Sequence, residues 1–161
     1  MSATNCYFRG VGGLYGEVEI MDKKEYALSL LGEGNTCALV GEGKTLCSTR
    51  RGVAPLLAWL DEKENCQGLI AADKVVGRAA AFLYLLLGVG EVHALVLSDS
   101  AEEVFLRFGM PYSFQEKVPA IRNRAGDGFC PMEQAVLGID EPSSALTAIR
   151  NRLRQLQEEK K

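Results

Sequence analysis

From Gly68 to Leu87 the chain reads GLIAADKVVGRAAAFLYLLL, with Asp73, Lys74 and Arg78 as its only charges. A stretch that is apolar on all sides has to be covered on all sides. Gln67 to Ala72 has strand length, while Lys74 to Leu87 has helix length and ends at Gly88, where glycine supplies a left-handed stop. A strand apolar on both faces fits the interior of a sheet with helices on each side, so the segment points to an α/β domain. Asp73, a good N-cap residue, is expected to open the helix, with Lys74 and Arg78 four apart on one of its faces.

The flanking segments keep the alternation going. Thr36 to Val40 and Lys44 to Ser48 are β-prone runs separated by Gly41-Glu42-Gly43, which reads as a hairpin. Val53 to Lys63 reads as a helix with Leu56, Leu57 and Leu60 on one side and Pro55 in its first turn. Glu91 to Leu97 is a second buried strand, Ser98-Asp99-Ser100 offers a cap for a helix from Ala101 to Phe108, and Tyr112 to Val118 alternates as a further strand. Asp22 can cap an earlier helix that ends near Gly32 to Asn35. Interior strands in such a series are largely parallel, and ligands gather at their carboxyl ends, near Asp73, Asp99 and the loop beginning at Pro119. His93 lies in the Glu91–Leu97 run, away from any motif, and reads as a core or edge histidine rather than a catalytic one.

With 161 residues, 47% of them hydrophobic, the chain suits one compact domain. The expected organisation is an N-terminal extension over 1–21 that is loop-like or adds an edge strand through Glu17 to Met21, a domain over 22–141, and a C-terminal amphipathic helix over 142–161. In that helix Leu146, Ile149, Leu153 and Leu156 form a narrow seam, which covers the parent domain or pairs with a second copy. A net charge of −3 and a pI near 5.3 give no basic field to recruit nucleic acid. The longest apolar run, Ala79 to Val89, is shorter than the roughly 20 residues of a membrane span. Met1 to Gly16 carries no basic region followed by an apolar core, and the five cysteines form no CxxC pair. The expectation is a cytoplasmic protein with reduced thiols.

The densest polar chemistry is in Ile121 to Val136, IRNRAGDGFCPMEQAV. Gly126 to Glu133 reads as a loop feeding a helix that begins near Pro131, with Cys130 at the N-cap and Glu133 in the first turn. A thiol at a helix N-terminus feels the positive end of the dipole, which favours thiolate, and the free N–H groups beside it can hold an anion. Cys130 is equally readable as a small buried hydrophobe beside a helix start.

The texts ADKVVGRAAA and RNRAGDGFCPMEQAV together resemble an uncharacterised bacterial domain-of-unknown-function family with the cytidine deaminase-like fold, over roughly Lys24 to Gly138. The resemblance implies a three-layer α/β/α domain with a mixed central sheet of about five strands and a crevice where the two helix N-termini meet. Zinc deaminases place a histidine or cysteine and a catalytic glutamate at the first helix start and Pro-Cys-x-x-Cys at the second. This chain has Asp73-Lys74-Val75 and Cys130-Pro131-Met132-Glu133 there, so the N/S donor set of zinc is missing and neither metal nor cofactor is expected. A magnesium site on Asp73, Asp127 and Glu133 has no supporting spacing.

If the two helix starts converge, Asp73, Lys74, Arg78, Arg122, Asn123 and Arg124 are the expected ligand-binding residues, and Cys130, Asp127 and Glu133 the catalytic candidates. Cations beside helix N-termini favour a nucleotide or other phosphorylated small molecule. Three functions stay open at this point. They are a metal-free binding module, a metal-independent enzyme with Cys130 as nucleophile, and a structural or oligomeric subunit.

Overall fold

The computed structural model describes Thr4–Asn5 and residues 22–123 and 125–160. Strand β1 (Thr4–Asn5) is followed by helix α1 (Lys23–Leu31), the hairpin β2 (Cys37–Gly41) and β3 (Lys44–Ser48), α2 (Ala54–Asp61) and β4 (Ile70–Val76). Then come α3 (Arg78–Leu87), β5 (Glu91–Ser98), α4 (Asp99–Phe108), β6 (Tyr112–Val118), α5 (Pro131–Ala135) and α6 (Pro142–Glu159). The extension expected over 1–21 lies outside the described residues apart from β1, and so does Arg124.

The sheet runs β1-β3-β2-β4-β5-β6 and is mixed. The hairpin is antiparallel and β2 is antiparallel to β4, whereas β4, β5 and β6 run parallel. The fold is α/β in three layers, as the alternation of elements predicts. On one face α1 packs over β2 and β4, burying Ala27, Leu30 and Leu31 against Ala38, Val40 and Ala72. The larger core lies on the other face, where Phe82, Leu83 and Tyr84 of α3 are fully buried. Around α3 pack α2, α4 and α6. The apolar seam of α6 is used here: Ala145 and Ile149 are buried, and Leu146, Leu153 and Leu156 pack against the same core.

The local signals behind several elements are visible. Asp22 accepts from the backbone N–H of Lys24, Ser98 accepts from that of Ala101, and Gly88 and Gly109 close α3 and α4 in left-handed conformations. The main departure is at β4. The expected helix start at Asp73 does not exist, because the strand continues through the β-branched pair Val75-Val76, which ladders onto Val96 and Leu97 of β5. Helix α3 begins only at Arg78, after Gly77. Lys74 is therefore a strand residue and shares no helix face with Arg78.

No helix among the described residues is long and apolar enough to cross a membrane. Cys37, Cys66 and Cys130 are free, but Cys47 is disulfide-bonded, which corrects the expectation that every thiol is reduced. Pairing of β1 with β3 sets Thr4 opposite Cys47, so a segment remote in sequence runs beside that residue. Cysteine spacing carries no trace of such a pairing.

Candidate functional site

A cavity of about 280 Å³ opens at the carboxyl end of β4, near the lower limit of the roughly 300–1,000 Å³ usual for small-molecule sites. Four parts of the chain build it. The start of β2 contributes Thr36 and Cys37, the turn into α2 contributes Arg51, Gly52 and Val53, and the β4–α3 junction contributes Asp73 to Val75, Gly77 and Ala80. Ile121, Cys130, Met132 and Glu133 close it. The Arg51 turn is held by Thr36, whose hydroxyl lies within hydrogen-bond distance of the carbonyls of Ser48, at 3.0 Å, and Arg50. Gly52 sits at φ +65°, which only glycine adopts freely, so the chain can turn there into α2.

Glu133 performs the task the sequence suggests for Asp73. Its carboxylate accepts from the backbone N–H of Arg78 at 2.8 Å and of Ala79 at 3.1 Å, capping α3 from 54 and 55 residues away. Gly77 has no side chain to do so itself, and a Cβ there would stand 2.3 Å from the Glu133 Oε1. Burial pushes the Glu133 carboxyl above its ordinary range, against the two backbone hydrogen bonds and the Arg78 charge. The N-terminus of α3 thus already carries a carboxylate.

Asp73 lies deeper. It stands opposite Cys37 in the β2–β4 ladder, its Oδ2 accepts from the Tyr84 hydroxyl at 2.6 Å, and its Oδ1 accepts from the Val75 N–H at 3.2 Å. Burial raises the Asp73 carboxyl to about 7, with the bonds from Tyr84, Val75 and Lys74 working in the opposite direction. Burial and then the Asp73 charge push the Tyr84 hydroxyl up, so it stays a donor. The Cys37 thiol is raised for the same two reasons, against a hydrogen bond with Thr36, and remains a thiol at neutral pH.

The other expected site residues divide. Lys74 and Cys130 line the cavity, Cys130 as the half-buried N-cap of α5. Helix α5 has only five residues, so it offers a single turn's worth of dipole. Arg78 points away: its Nη2 donates to the Ile139 carbonyl at 2.7 Å and to Asp140 at 3.0 Å, and its guanidinium lies 5.2 Å from the Phe82 ring centroid. It anchors the loop before α6 and is not an anion ligand of the cavity. Asp127 and Asn123 hold each other in an exposed loop, with Asn123 Nδ2 donating to Asp127 at 2.9 Å and the Asp127 N–H donating back at 3.2 Å. Arg122 is exposed and lies over the Phe129 ring at 5.5 Å. None of these three lines the cavity.

Arg51, Cys37 and Tyr84 belong to the site but carry no motif. Arg51 lines the cavity and Tyr84 donates to Asp73, yet both are brought there by hairpin exit and helix phase, which only tertiary structure reveals. Arg51 and Lys74 have no ion pair or side-chain hydrogen bond among the described residues. Zinc does not fit this lining. Asp73 and Glu133 are already engaged, His93 is elsewhere, and no group of three or more His, Cys, Asp or Glu among the described residues could hold a metal ion.

No curated protein matches the chain in sequence. Among solved structures, a DUF1893 family protein from Thermotoga maritima, determined at 2.70 Å, is similar at 27% identity and a TM-score of 0.69. The match covers 87% of this chain and 99% of that one. The family model for TM1506, a domain of unknown function (DUF1893), matches residues 26–153, most of the chain, and the protein belongs to that family.

Proposed function

We propose that the protein is a small-molecule-binding domain whose cavity takes a nucleotide or other phosphorylated metabolite. The observation that carries this reading is the pair of cations, Arg51 and Lys74, unpaired among the described residues, on a lining that is otherwise mostly apolar. Free cations beside a concave apolar surface suit a ligand with an anionic group at one end and a flat or aliphatic body at the other. The α3 N-terminus is taken by Glu133, so the anion rests on Arg51, with Lys74 beside it in the lining. Asp73, titrating near neutrality, offers either a donor or an acceptor to the uncharged part of the ligand. A deaminase-like ancestry without its metal is part of the same reading. It is supported by a crevice at the mouth of parallel strands and by donors that are committed to backbone and to Tyr84. A thermal-shift panel of nucleotides, nucleotide sugars and sugar phosphates tests it: at least one class should raise Tm by mass action on the folded state. A panel without any response contradicts it.

A second reading, a metal-independent enzyme with Cys130 as nucleophile, is favoured by one observation. Cys130 is a half-buried free thiol in the same lining as Asp73, which can exchange a proton near pH 7.

A further inference from the structure

His93 has partners that no motif announced. It is 5% exposed, its Nε2 lies 2.7 Å from Glu91 Oε2, and its Nδ1 lies 2.5 Å from Ser113 Oγ. Glu91 and His93 are two apart on β5 and so share a face. Ser113 is the register partner of His93 on β6. His93 is also the register partner of Ala72, which packs under α1, so the three side chains lie on the α1 face. Asp73 of the cavity lining points to the other face, where Tyr84 of α3 donates to it. The sheet therefore separates Asp73 and Tyr84 from the His93 group.

Because a carboxylate only accepts, Glu91 fixes the tautomer of neutral His93 with its proton on Nε2. Nδ1 is then an acceptor, and the Ser113 hydroxyl must donate to it. Acid, imidazole and hydroxyl stand in the order that raises the nucleophilicity of a serine, with the ring turned so that Nδ1 faces the hydroxyl. Ser113 is half-buried on a strand with no outer neighbour among the described residues, so a small ester can approach it along that edge. Leu95, two residues beyond His93 and half-buried, adds apolar surface on the same face.

We propose that Glu91, His93 and Ser113 form an acyl-transfer site for small esters, independent of the cavity. Ser113 Oγ bonds to the ester carbonyl carbon as its proton moves to His93 Nδ1. The carbon–alkoxide bond then breaks, and that proton leaves with the alcohol. Water attacks the acyl-serine, passing one proton to Nδ1, and collapse releases the acid and returns the proton to Ser113. Glu91 is a positioning residue: it holds the imidazolium through Nε2–H.

The test uses a fluorophosphonate probe and p-nitrophenyl acetate on the full chain, with the modified residue mapped by mass spectrometry. Wild type should be phosphonylated at Ser113, Ser113→Ala should lose both labelling and hydrolysis, and His93→Gln should slow labelling by roughly 100-fold or more. Glu91→Gln should lower kcat while leaving KM unchanged, with partial recovery in Glu91→Asp. Absence of probe from Ser113 in the wild type overturns the proposal, as does equal labelling in His93→Gln or hydrolysis that survives Ser113→Ala. Because the wild-type labelling result stands without any variant, a misfolded variant cannot shelter the idea.

Discussion

Gly77 and Glu133 are matched to each other: the carboxylate of Glu133 fills the space a Cβ on Gly77 would need, 2.3 Å from its Oε1. The backbone of Gly77, at φ −100° and ψ −176°, is open to any residue, so the requirement for glycine here is spatial. Gly77→Ala should therefore act by expelling Glu133 from the N–H groups of Arg78 and Ala79. We predict a loss of about 1–3 kcal/mol for Gly77→Ala and for Glu133→Ala alike. Chemical denaturation of the double variant should show strong non-additivity, since both changes remove the same cap. Additive losses would mean the two residues act separately.

Asp73 sets a pH dependence. Its folded value of about 7 lies above its unfolded one, so the folded state binds the extra proton and stability falls as pH rises through that interval. The interval is worth on the order of 4 kcal/mol as an upper figure. Glu133, raised in the same direction, adds to the slope. Melting temperature should be higher near pH 5 than at pH 8, and Asp73→Asn should flatten the difference mainly by raising the pH 8 value. An unchanged slope in Asp73→Asn would show that the carboxyl titrates normally.

These two residues also show what the sequence can disclose. The strand, the apolar helix and the polar Cys130 turn were legible from periodicity and from the proline at the start of α5. That Asp73 would be a strand residue and Glu133 the cap was not. An aspartate before an apolar helix looks like a cap wherever the strand ends, and the carboxylate that does the capping is 55 residues away. Arg78 misleads in the same manner: a lone cation in an apolar helix suggests a ligand, but its charge is met by Asp140 and the Ile139 carbonyl from the loop before α6. No motif in the sequence gives His93 a partner: Glu91 stands two residues away on the same face of β5, and Ser113 joins them only through the β5–β6 register.

Arg78 and Lys74 should accordingly separate by phenotype. Arg78→Ala should cost about 1–3 kcal/mol of stability and leave ligand affinity intact, because its contacts are with the 139–140 loop and Phe82. Lys74→Ala should leave stability nearly unchanged and weaken a phosphorylated ligand by roughly 10-fold or more. Thermal shift with and without ligand reads both effects. The reverse assignment would put the anion at Arg78.

Cysteine reactivity distinguishes a binding module from a thiol enzyme. Cys130 is half-buried in the cavity wall, whereas Cys37 and Cys66 are buried and burial raises both thiols. Alkylation mapped by mass spectrometry should therefore favour Cys130, and a cavity ligand should protect it. If Cys130→Ala keeps full affinity and no turnover is seen in the wild type, the thiol is part of the wall alone.

The most direct test of the proposed cavity is a ¹H–¹⁵N correlation spectrum recorded while the best ligand from the thermal panel is titrated in. The account predicts that the amide signals of Gly52, Lys74, Gly77 and Cys130 move together and saturably, while those of Lys44, Arg107 and Ser113 stay in place. Movement confined to signals outside the cavity, or an unchanged response in the Arg51→Ala, Lys74→Ala double variant, would contradict it.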